Sequence, residues 1–73
     1  MSTEVQAHIT GTVWKILVKV GDTVSQDQPL VILESMKMEM PIESPEAGRV
    51  VSVVVSEGAS VEEGELILTL EKA

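Results

Sequence analysis

Seventy-three residues leave room for one small domain; there is no cysteine for a disulfide or a thiolate metal site, and the single histidine, His8, cannot build a zinc centre alone. Twelve acidic residues against five basic ones give a formal charge of −7, which repels nucleic-acid phosphates and anionic membrane surfaces, so neither is expected as a partner. At this length a single core supplies only about 3–5 kcal/mol of net stability, and here packing of Val, Ile, Leu, Met and Ala must provide it, because Trp14 is the only aromatic residue.

In chain order, Met1-Ser2-Thr3-Glu4 has neither the charge nor the apolar run of a signal peptide. His8 reads as an exposed strand-end residue. Val13 to Val20 is rich in β-branched and aliphatic residues and reads as a strand, with Trp14, Ile16, Val18 and Val20 on one face and Lys15, Leu17 and Lys19 on the other. Trp14, whose repeat position is filled by Val51, either fills one side of the core or covers a partner-facing patch, and is assigned to the core. Gly21-Asp22 marks a turn, Val24 begins a short segment, and Pro29 precedes the apolar run Leu30 to Leu33. Glu34 to Ile42 alternates, with Met36, Met38, Met40 and Ile42 on one parity, and is expected to form an exposed β-hairpin with its tip near Lys37. Met40 is assigned to the core, and Pro41 and Pro45 limit ladder pairing on the exit side. Val50 to Val55, a turn at Glu57-Gly58, Val61, a solvated turn at Glu62-Glu63-Gly64-Glu65 and the run Leu66 to Leu70 complete the chain. No window carries a sustained 3.6-residue apolar stripe, so almost no helix is expected. Short strands at this spacing suggest an all-β sandwich or flattened barrel.

The chain repeats itself. A gapless alignment of Gly11–Glu34 on Gly48–Glu71 pairs Gly11 with Gly48, Val13 with Val50, Val18 with Val55, Gly21 with Gly58, Val24 with Val61 and Leu33 with Leu70. Residues 1–73 therefore read as one domain built from halves of about 1–36 and 38–73, related by an approximate two-fold axis. Lys37 falls at the crossover. The recurring glycines are geometric, serving positive φ angles or close turns. The longest apolar runs fall far short of the roughly 20 residues that span a bilayer. With no Pro/Ala-rich or Gly/Ser-rich linker at either edge, a freestanding cytoplasmic protein is expected, monomeric when free.

A solvent-exposed lysine is ammonium at neutral pH and a poor nucleophile until another protein deprotonates it. Neighbouring carboxylates such as Glu34 and Glu39 favour the charged form. Lys37 is thus a substrate lysine and not a catalytic one. A lysine at a loop tip ordinarily protects a sheet edge and aids solubility. Two methionines around it change that reading, since Met36 and Met38 cannot both be deeply buried beside an exposed ammonium, and thioether side chains offer an adaptable apolar grip to a modifying enzyme.

Glu34-Ser35-Met36-Lys37-Met38 resembles the biotin attachment motif, usually Glu-Ala-Met-Lys-Met, and nearly the whole chain resembles biotinyl/lipoyl domains. Gly21-Asp22-x-Val24 and Ser44-Pro45-x-x-Gly48 also match the family pattern. Ser35 replaces the commoner alanine, and the inserted loop of some biotin carriers has no room here. The resemblance implies a flattened barrel of two four-stranded antiparallel sheets, with biotin amide-linked to Lys37 at a hairpin tip. Glu34, Met36 and Met38 are implied as the residues a biotin protein ligase recognises. It further implies a carrier that catalyses nothing itself: a biotin carboxylase loads the ureido ring using ATP and bicarbonate, and a carboxyltransferase passes the carboxyl group to an acyl-CoA or keto-acid acceptor.

Two other readings stand beside it. Lipoyl domains share the fold and the hairpin, so a lipoate ligase acting on Lys37 would make this an acyl or aminomethyl carrier, or a site accepting both cofactors; lipoyl domains usually carry Asp before the lysine, and here Met36 stands there. The other is an unmodified acidic module that binds a basic partner. An enzyme is expected least, because no acid, base and nucleophile occur at interpretable spacing.

Overall fold

The computed structural model describes residues 2–72. These form eight strands: β1 (Ser2–Gln6), β2 (Gly11–Ile16), β3 (Thr23–Val24), β4 (Pro29–Ser35), β5 (Met38–Glu43), β6 (Gly48–Val53), β7 (Ser60–Val61) and β8 (Leu66–Lys72). They make two four-stranded antiparallel sheets, ordered β1-β8-β6-β3 and β5-β4-β2-β7. The all-β, two-sheet architecture expected from the sequence is the one found. Exchanging β1 with β5, β2 with β6, β3 with β7 and β4 with β8 turns one sheet order into the other, so the internal repeat is a symmetry of the fold.

The symmetry extends to single hydrogen bonds. Gly21 N–H donates to the Val50 carbonyl at 2.8 Å, and its repeat mate Gly58 donates to the Val13 carbonyl at 2.7 Å. Leu17 to Leu30 at 2.9 Å is matched by Val54 to Ile67 at 3.0 Å. Each half thus stitches its turn onto a long strand of the other half, Gly21 onto β6 and Gly58 onto β2, which links the two halves through the backbone. Gly21 and Gly58 hold φ of 98° and 91°, a region costly for any side chain. Gly11 and Gly48 have a different reason: a Cβ on them would lie 2.7 Å from the Glu34 carbonyl oxygen and 2.5 Å from that of Glu71.

The core is aliphatic and lies between the sheets: Val13, Val24, Leu30, Val31 and Leu33 from the first half meet Val50, Val61, Ile67, Leu68 and Leu70 from the second. Two sequence expectations are corrected here. Trp14 is not a core residue; it is 42% exposed. The strand also ends at Ile16, and Val20, expected on the buried face, lies exposed in the turn. Val20 is exposed because the chain has already turned, and Trp14 because of a β-bulge: Val13 pairs with Leu33 and Lys15 with Ile32, so Trp14 is an extra residue that breaks the alternation. A bulge inserts one residue and re-aims the side chains that follow, and simple parity counting cannot anticipate it. The same irregularity recurs between Val50 and Ser52, where Val51 is the extra residue.

Candidate functional site

The longest apolar stretch of the first half, Leu30 to Leu33, carries the hairpin toward solvent: Leu30, Val31 and Leu33 are buried, and Leu33 anchors the last row with its partner Met40. Beyond it Glu34 faces Glu39 and Ser35 faces Met38, leaving Met36 and Lys37 as a two-residue turn. Met36 has φ 51° and Lys37 φ 65°. Positive φ at both central positions is the signature of a type I′ turn, whose twist matches that of the flanking strands; Asn-Gly is the usual occupant because larger L-residues pay about 1–2 kcal/mol each in this region. The chain spends that strain on a methionine and a lysine.

Along β5 the inward parity emerges from the core step by step. Ile42 is buried, Met40 is half-buried and Met38 is 60% exposed; Met36, in the turn itself, is 91% exposed. Met40 therefore only partly meets its core assignment, because it lies on the edge strand β5, while its row partner Leu33 on β4 is fully buried. The Lys37 amine stands between two solvated thioethers. Among the described residues the one ion pair joins Arg49 to Glu71 at 3.7 Å, so neither Glu34 nor Glu39 holds the Lys37 ammonium. Glu34 is exposed on the outer face of β4, on the second row from the turn, opposite Glu39.

Two supports were less legible in the sequence. Gly11 lets β2 approach the hairpin base closely, since a Cβ there would also lie 3.4 Å from the Ser35 Cβ. Ser44, just after β5, is buried to 1% exposure; its hydroxyl donates to the Glu46 carbonyl at 2.5 Å, its N–H to the Gln28 carbonyl at 2.8 Å, and its carbonyl accepts the Asp27 N–H at 2.8 Å. This fixes the exit of the hairpin against the turn that enters it. The repeat mate of Ser44 is Ala7, so only the hydroxyl is special to this half, and the Ser44-Pro45 motif was its sole signal.

An open cleft of about 650 Å³ lies between the edge strands β1 and β5, lined by Glu4, Gln6, His8, Pro41, Glu43 and Glu63 among others, and no residue from Glu34 to Met38 contributes to it. Among the described residues no cluster of His, Asp and Glu is suited to a metal ion. What the tip offers instead is a sterically open primary amine on a rigid stalk. After deprotonation such an amine can attack an activated carboxyl group and retain it as an amide. The exposed Lys37 amine thus fits a carboxylic-acid cofactor held covalently.

Residues 2–70 match the biotin/lipoyl family, described as biotin-requiring enzyme. The chain is 50% identical over 64 residues to a biotin carboxyl carrier protein of Streptococcus mutans, covering 88% of this chain and 49% of that one. It is 42% identical over 69 residues to the biotin/lipoyl attachment protein of Bacillus subtilis, with 94% of each covered. The chain therefore spans about half the length of the first relative and nearly all of the second. In structure it matches the urea carboxylase of Kluyveromyces lactis with a TM-score of 0.92 at 30% identity, covering 97% of this chain and 6% of the enzyme. From the matched repeat, the two-sheet fold and the hairpin lysine together, the chain belongs to the biotin/lipoyl family.

Proposed function

We propose that this chain is a biotin carboxyl carrier, with biotin amide-linked to Lys37 by a biotin protein ligase. The observation that carries the reading is the Met36-Lys37 turn: two exposed thioethers flank a solvated amine on a strained, two-residue loop. When bound, biotin supplies a ureido nitrogen able to carry a carboxyl group between two active sites. The chain's own residues do the rest. Lys37 provides the nitrogen of the amide: once the ligase removes its proton, the amine attacks the carbonyl of an activated biotin, a C–N bond forms and the activating group departs. Met36, Met38 and Glu34 present a shape and charge for the ligase to grip. The rigid β4–β5 ladder keeps the tether's root fixed, and tethering raises the effective concentration of the cofactor at each partner site.

In this reading the partners are a biotin carboxylase and a carboxyltransferase on other chains or domains, and the setting is cytoplasmic. Similarity to a carrier protein and to a urea carboxylase supports that assignment. The test is transfer of label: the biotinylated chain, incubated with a biotin carboxylase, ATP, magnesium and radiolabelled bicarbonate, should retain label after rapid gel filtration. Absence of chain-bound label, with the carboxylase active on free biotin, would reject the function. A second reading, lipoylation of Lys37, is favoured by the likeness to a biotin/lipoyl attachment protein along nearly its whole length. Ligation with lipoate ligase in parallel, scored as relative rates on the same chain, separates the two.

A further inference from the structure

The internal repeat serves as a control for the outer faces of the two sheets. On the sheet bearing Lys37, Ile32 lies between buried Val31 and Leu33 and so points outward, half-buried; it pairs with Pro41 on one side and Lys15 on the other. Trp14, the extra residue of the bulge, shares that outer face, with the Lys15 ammonium 5.5 Å from its ring centroid. Trp14, Ile32 and Pro41 thus make an apolar stripe across β2, β4 and β5. At the equivalent place on the other sheet stand Val51, Thr69 and Glu4, with Thr69 pairing Glu4 as Ile32 pairs Pro41. The fold does not require the stripe, because the same positions are met without it in the second half.

We propose that this stripe is a resting site for the biotin ring carried on Lys37, the arm folding back along the outer face of its own sheet. The inference rests on the carrier reading. Reach permits it: Pro41, the β5 partner of Ile32, is four residues from Lys37, about 13 Å along a strand. The lysine side chain and the biotin acyl chain together make about eleven bonds of roughly 1.5 Å, which place the ring about 14 Å from the Lys37 Cα when extended. Size favours it as well. Three side chains on neighbouring strands about 4.8 Å apart offer a patch matched to a small bicyclic ring, far below the roughly 800 Å² per partner of a stable protein interface. The chemistry is complementary: the sulfur-containing ring meets the Trp14 face. Amide formation also removes the Lys37 charge, so the arm crosses apolar surface without a charge to desolvate.

Trp14 is the only tryptophan, so its fluorescence reports this surface alone. The unmodified and fully biotinylated chains, each verified by intact mass, are compared by emission spectrum and acrylamide quenching, with NOESY between the indole and biotin ring protons. The expected result is a blue-shifted emission and a quenching constant lowered about twofold on biotinylation, with cross-peaks to the ring. Ile32→Glu, at an outward position, should fold and be biotinylated yet lose both changes. A chain carrying the full biotinyl mass with unchanged quenching and no cross-peaks overturns the resting site and leaves the carrier reading intact, as does a shift that persists in Ile32→Glu. Failure to acquire the mass overturns both.

Discussion

Replacing the turn pair by Asn-Gly, as the double variant Met36→Asn and Lys37→Gly, puts residues that tolerate positive φ in place of two that this backbone region disfavours. Met36 and Lys37 hold φ of 51° and 65°, and each non-glycine residue there costs about 1–2 kcal/mol. Asparagine tolerates this region and glycine enters it freely, but glycine also loses about 0.5–1 kcal/mol more chain entropy on folding. The net gain should be about 1–2 kcal/mol, a large fraction of the roughly 3–5 kcal/mol that a domain this small musters. Urea unfolding followed by far-UV circular dichroism should show a higher midpoint at unchanged slope, and the melting temperature should rise by about 4–8 °C per kcal/mol. The variant gives up the attachment lysine, so stability and function would trade against each other at one turn. An unchanged or lower midpoint with the same slope would refute the claim that the tip stores strain.

Gly11→Ala should destabilise by about 1–3 kcal/mol in the same urea assay, since the new methyl group would meet the Glu34 carbonyl oxygen at 2.7 Å, backbone that can move only with the hairpin base. Leu33→Ala, at the fully buried last row beneath the tip, should cost about 2–5 kcal/mol by urea denaturation. Trp14→Ala should change stability by less than about 0.5 kcal/mol because the ring sits on the bulge outside the core; a loss near 3 kcal/mol would restore the core assignment. Met36→Asp should move ligation from the biotin ligase toward the lipoate ligase, measured as relative initial rates, and undiminished biotinylation would show that Met36 does not select the ligase.

Much of the fold was legible because the offset that pairs Gly11 with Gly48 also carries β2, β3 and β4 onto β6, β7 and β8, residue for residue. The hairpin was legible from the alternation on both sides of Lys37. Its left-handed turn was not, since Met-Lys carries none of the Asn-Gly chemistry that announces a type I′ loop. Trp14 was misplaced for a related reason: alternation shows where a strand is but not where an inserted residue resets it, and the bulge is visible only in the pairing with Leu33 and Ile32. Ser44 was legible only through the Ser44-Pro45 motif, because its role is to satisfy backbone partners in a turn, which leaves no periodic trace.

Intact mass spectrometry of the chain after reaction with ATP, biotin and a biotin protein ligase, followed by peptide mapping and repeated on Lys37→Ala, addresses the attachment directly. A single biotinyl increment on the peptide containing Met36-Lys37-Met38, absent from the variant, is the expected result. No increment on the wild-type chain, or one that survives in Lys37→Ala, would contradict the assignment of Lys37 as the carrier of the cofactor.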